Sequence, residues 1–93
     1  MDKITDSKLD KYFSVTKKAL SKAEKSGNRT KLKDEREDFL DMIRRYVSDA
    51  EHFASKGDKV LAFAALNYAH GWLDAGARLG MFDVHDSKLF TVD

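Results

Sequence analysis

Asn67, His70, Asp74 and Arg78 fall at offsets 0, 3, 7 and 11, one polar line along an otherwise apolar stretch. Asp74 is four residues from both His70 and Arg78, so on a helix ion-pair or hydrogen-bond contact is easy. With Phe63 and Trp72 beside it, such a line could give a partner both hydrogen bonds and apolar grip. One histidine and one aspartate make half a metal site at best, and no metal is expected. The alternative is a wet edge laced together by ordinary pairs, each contributing a few tenths of a kcal/mol. A third possibility is that the chain's own tail covers the line, in which case Asp74 matters to the fold.

Two further constellations carry charge. Lys8, Lys11, Lys18, Lys22 and Lys25 project to one side of the first helical segment, and residues 1–33 hold ten basic and four acidic side chains, net +6. Residues 34–93 hold seven basic and twelve acidic, net −5. That asymmetry could attract phosphate backbones, with Lys11, Lys18, Lys22 and Lys25 as the contacts. Arginines and interleaved aromatics, usual in nucleic-acid modules, are missing from this face, so it is the weaker reading. Arg45 and His52, seven residues apart, vaguely resemble the arginine–histidine pair of helical nucleases of the HEPN class. Asp38, Asp41 and Asp49 surround Arg45 at helical spacing and would neutralise it. No glycine-rich phosphate loop, metalloprotease helix or nucleophile elbow occurs, so no catalytic residue and no cofactor is expected.

The elements that position these residues follow from periodicity. The chain has 93 residues, no proline, no cysteine and five glycines, with 42% apolar and 35% charged residues. That suits one soluble helical domain spanning residues 1–93, without disulfides. "MDKITDSKLDKYF" has no apolar core of a signal peptide, and no run approaches the length of a membrane span. A cytoplasmic location is the corresponding expectation. Leu9, Tyr12, Phe13, Thr16, Leu20 and Ala23 form one stripe at three- and four-residue steps, predicting a helix over about 6–26 capped by Asp6. "SGN" ends it, with Gly27 able to turn left-handed. Leu32, Phe39, Met42, Ile43, Tyr46, Val47, Ala50, Phe53 and Ala54 predict a second helix over about 30–56, closed by Gly57. Asp58 caps the third, over about 59–79, which Gly80 ends.

The third helix is apolar over more than half its circumference. Ala62, Ala65, Ala69 and Gly76 line one side, and Ala64, Gly71 and Ala75 another, so a helix gripped from two directions is expected. Residues 81–93, with Met81, Phe82, Val84, Leu89, Phe90 and Val92, are too apolar for a free tail. They should fold back over one end of the bundle, with Asp86 capping a short turn. Trp72, Phe82 and Phe90 exceed what the closed end of so small a bundle needs, and some are expected to stay exposed as a contact surface.

"FAALNYAHGWLDAGARLGMFDV", Phe63 to Val84, followed by "DSKLF", resembles the signature end of a small archaeal family known as domain of unknown function 357. The resemblance implies a short three-helix bundle and carries no established activity, cofactor or catalytic residue. His85 stands where the family pattern suggests proline. "GDKVLAFAALNYAHGWLDAG" is also similar to the second helix of tetratricopeptide-type hairpins, although a single copy cannot build a solenoid. The expectation is therefore an all-α, antiparallel three-helix bundle with a tail packed back on it. It would act as a non-catalytic module that binds protein partners or itself through helix three and the tail. Asn67, His70, Trp72, Asp74, Arg78, Phe82 and Phe90 are the candidate contacts, with weak sequence-independent nucleic-acid binding as the alternative.

Overall fold

The computed structural model describes residues 3–91 as three helices and a folded-back tail: α1 (Asp6–Lys25), α2 (Lys33–Ser55) and α3 (Lys59–Leu79). Val92, counted above with the apolar tail, lies outside the described residues. No helix of the described residues is long and apolar enough to cross a membrane.

The helix ends show local chemistry at work. Thr5, not Asp6, caps α1: its Oγ1 accepts the Lys8 N–H at 3.1 Å. Asp6 is the first helical residue, where its carboxylate still meets the positive end of the helix dipole. At the other end Ser26 is extended, and positive φ is confined, among the described residues, to Gly57 (80°) and Gly80 (87°). Gly27 therefore does not make the left-handed turn expected of it. α2 starts at Lys33 rather than Thr30 because side chains take over the backbone between. Asn28 Oδ1 accepts from the Thr30 N–H and hydroxyl, and Thr30 Oγ1 accepts the Leu32 N–H. Such local bonds compete with the first turn of a helix. Asp58 caps α3, accepting the Leu61 N–H at 3.1 Å, and left-handed Gly80 closes it.

Side-chain pairs fix the helix directions. Phe39 meets Trp72 and Tyr46 meets Tyr68, so α2 rises as α3 descends. Lys17 pairs with Glu51 and Arg44 with Glu24, which makes α1 antiparallel to α2. The chain is thus an all-α, antiparallel three-helix bundle, with α3 packed on both neighbours and α1 touching α2 least. Small residues allow this. Ala19 and Ala23 of α1 and Ala62, Ala69 and Ala77 of α3 are buried at the contacts.

The tail completes the core. Met81, Phe82 and Phe90 are all but inaccessible, and Phe82 and Phe90 join Ile43, Leu73 and Ala77 in one cluster. Phe82 and Phe90 were expected to offer contact surface; they are internal, because α3 alone leaves the lower end of the bundle open and these rings close it. The Asp83 N–H donates to the Gly27 carbonyl and the Arg29 N–H to the Gly80 carbonyl, both at 2.9 Å, fastening the tail to the α1–α2 connection. Arg36, unremarked in the sequence, donates from Nη2 to the carbonyls of Ala23 and Ser26 at 2.9 Å and lies 5.6 Å over the Phe82 ring. It caps the end of α1 with a cation, where the helix dipole favours one.

α3 is gripped from two directions, by α1 and α2, but not through both of its small-residue strips. Ala62, Ala65, Ala69 and Gly76 are buried, but Ala64, Gly71 and Ala75 are exposed. In a three-helix bundle α3 has only two neighbours, both on one half of its circumference, so its apolar outer half has nothing against it.

Candidate functional site

That outer half is the most distinctive surface of the molecule. Val60, Leu61, Tyr68 and Leu79 are 67%, 46%, 55% and 58% exposed. Between α2 and α3 it deepens into an open groove of about 430 Å³, lined by Phe39, Asn67, Tyr68, Gly71, Trp72 and Ala75. Helical spacing builds it. Phe39 and Tyr46 are two turns apart on α2, and Tyr68 and Trp72 one turn apart on α3. The Phe39 and Trp72 rings meet edge to face with centroids 4.6 Å apart, and Tyr46 tilts against Tyr68 at 4.5 Å. Desolvation and the neighbouring Tyr68 push the Tyr46 phenol above its ordinary pKa. Gly71 and Ala75 form the floor, and a Cβ on Gly71 would meet no atom within 4 Å. Asn67 supplies a polar group on the lining. The lining offers shape, aromatic surface and one side-chain amide.

The polar line of α3 has a different employment. His70 Nε2 stands 2.6 Å from the Leu89 carbonyl, and since a carbonyl only accepts, that nitrogen carries the proton. Asp74 Oδ1 accepts the Thr91 N–H at 3.0 Å, and Arg78 Nη1 donates to the Thr91 carbonyl at 3.0 Å. Asp74 also lies 3.9 Å from His70 Nε2. Three of the four residues thus hold tail backbone. Asn67 lines the groove instead. A strap that caps a core needs its backbone groups satisfied, and this line satisfies them.

The lysine face is partly spoken for. Lys22 donates to Asp86 at 2.8 Å, and Lys8 Nζ lies 5.5 Å over the Phe63 ring. Lys11, Lys18 and Lys25 are exposed, and the tail adds Lys88 to a groove of about 550 Å³ shared by Lys18, Lys22 and Lys25. Asp86 does cap the tail turn: Oδ1 accepts the Lys88 N–H at 3.0 Å. The Lys22 hydrogen bond, then the Lys88 N–H, hold its carboxyl below the usual range. Its contribution to folding is complete above the unfolded carboxyl's pKa and lost as pH falls through the lowered one. Arg45 is drawn to Asp41 at 3.0 Å, and the His52 ring lies against Phe53 with centroids 6.0 Å apart, so the two are not assembled as a pair.

Sequence reasoning missed Phe39, Tyr46 and Tyr68 as one aromatic wall, having assigned the first two to the core. The available signal was Gly71, a glycine inside a helix beside the chain's sole tryptophan. A model of the family described as "Protein of unknown function (DUF357)" matches residues 11–82. No curated protein and no solved structure matches.

Proposed function

The chain belongs to the DUF357 family, whose function is unknown, and on that premise we propose that it is a non-catalytic interaction module whose outward α3 groove receives an apolar helix of a protein partner. One observation supports this reading above the rest: α3 is apolar on both halves and the bundle covers only one. Exposed contiguous apolar surface in a soluble protein marks a contact. A groove with a flat small-residue floor between aromatic walls accepts a helix that presents its apolar face, as in other helix-in-groove recognition. Asn67 would set the register by bonding a polar group at the rim. His70, Asp74 and Arg78 serve the site indirectly, since each is turned to the tail.

Trp72 lines the groove and is the sole tryptophan, so its emission reports occupancy directly. Titration with a synthetic, uncharged-faced amphipathic helix is expected to shift that emission to the blue and to saturate. Ala75→Lys, on an exposed floor position, should keep the fold and abolish the response. No saturable change, or an equal response in the lysine variant, contradicts the reading.

A second reading, weak nucleic-acid binding, has in its favour the placement of Lys88 beside Lys18, Lys22 and Lys25. It requires affinity that falls steeply with salt and vanishes on reversing Lys18 and Lys25 to Glu.

A further inference from the structure

The basic face already holds an anion of its own. Two open grooves run along α1 and meet at Val15. One, of about 390 Å³, is lined by Lys8, Lys11 and Tyr12; the other, of about 550 Å³, by Lys18, Lys22, Lys25 and the tail's Lys88. Together they form one track about 26 Å long from Lys8 to Lys25, at 1.5 Å per helical residue. Among the residues lining it, Asp86 alone is acidic. Its Oδ2 accepts from Lys22 Nζ at 2.8 Å and its Oδ1 from the Lys88 N–H at 3.0 Å. An ammonium and a backbone amide are donors that nucleic-acid-binding proteins use on phosphate oxygens. The Lys22 bond, then the Lys88 N–H, keep the Asp86 carboxyl below its usual range, so the position favours an anion.

We infer that this track takes the phosphate backbone of a double-stranded nucleic acid, and that Asp86 sits at one of its phosphate positions and withholds Lys22 until a phosphate displaces it. This rests on the second reading above, and names the form of the partner and the regulation of the site. Lys22 and Asp86 both keep solvent contact, so a phosphate reaches the pair without the strap leaving the core.

Shape and charge select the occupant. Single strands are held largely by stacking bases on aromatic side chains. The one aromatic residue lining the track, Tyr12, is turned edge to face against Phe63 with centroids 4.5 Å apart. No arginine, asparagine or glutamine lines it to read base edges. What remains is a straight row of ammonium groups on a rigid helix. A duplex answers that row with one negative charge per about 1.7 Å of a stiff axis.

Fluorescence anisotropy of a short labelled DNA duplex, and of oligothymidylate of equal length, tests both parts. The unaltered chain should bind the duplex more tightly than the single strand. Asp86→Asn keeps an oxygen for the Lys88 N–H but loses the charge that holds Lys22. It should tighten duplex binding by up to about fivefold, the equivalent of one exposed ion pair. The slope of log affinity against log salt should steepen by about 0.9, one further phosphate contact. In a Lys22→Gln background the same change should leave that slope where it is. Duplex binding whose slope does not steepen in Asp86→Asn, or steepens equally in both backgrounds, overturns the inference. Oligothymidylate bound as tightly as the duplex overturns it too. In each of these cases the nucleic-acid reading itself stands. Binding of neither probe at low salt overturns both.

Discussion

Phe82→Ala is expected to destabilise the fold by about 3–5 kcal/mol, the usual range for emptying a buried aromatic site. That is a large share of the roughly 5–15 kcal/mol by which small domains are stable. Phe82 is fully buried, packs in the same cluster as Ile43, Leu73 and Phe90, and lies beneath the Arg36 guanidinium that caps α1. Losing the ring would therefore loosen three elements at once. Gly76 provides the reciprocal test. A Cβ there would overlap the Phe82 ring, so Gly76→Ala should overpack this site by about 1–3 kcal/mol. Adding Phe82→Leu should relieve part of that strain, making the pair non-additive as expected for residues in contact. Chemical denaturation measures both. A shift below ~1 kcal/mol for Phe82→Ala would place this ring outside the core, against the typical cost of such a truncation.

Asp74→Ala is expected to cost about 1–3 kcal/mol, the range for leaving a hydrogen-bond donor without its acceptor. The Thr91 N–H would lose its partner, and Arg78 would hold the strap by the Thr91 carbonyl alone. Asp74→Asn keeps an acceptor and should fall between the two. The Thr91 amide should exchange faster with solvent in the alanine variant, because opening the strap is a local event. A stability change within ~0.5 kcal/mol, as for ordinary surface substitutions, would return Asp74 to the status of a solvated edge.

Much of the fold was legible because it depends on periodicity and on residues with few roles. The stripes of α1 and α2, the left-handed glycines at 57 and 80 and the Asp58 cap all follow from spacing and backbone preference. The start of α2 did not, since Asn28 and Thr30 could equally have capped a helix or built the turn they do build. Leu40, buried at 2% exposure, was passed over although it stands three and seven residues before the buried Ile43 and Val47, on the same face of α2. The site was less legible. Hydrophobicity around α3 shows that both halves avoid charge, but not which half the neighbours take. Reading both as core hid the outer face. The polar line was visible as a line, whereas its partners are backbone groups of the tail, which carry no sequence signal.

Gly71→Leu tests the central claim most directly, because it separates the folding of one chain from what the outer face of α3 is for. Two quantities are measured on the same variant: stability by chemical denaturation, and the response of Trp72 emission to titration with the synthetic amphipathic helix. Leucine is a far better helix former than glycine, so a residue with no neighbour in its own chain should stabilise the monomer by about 0.5–1 kcal/mol on this change. The same side chain fills the floor of the groove and should abolish the response to the helix. A more stable chain whose Trp72 emission no longer responds is the predicted result. A more stable chain that responds as before would contradict the claim that this face is a docking surface.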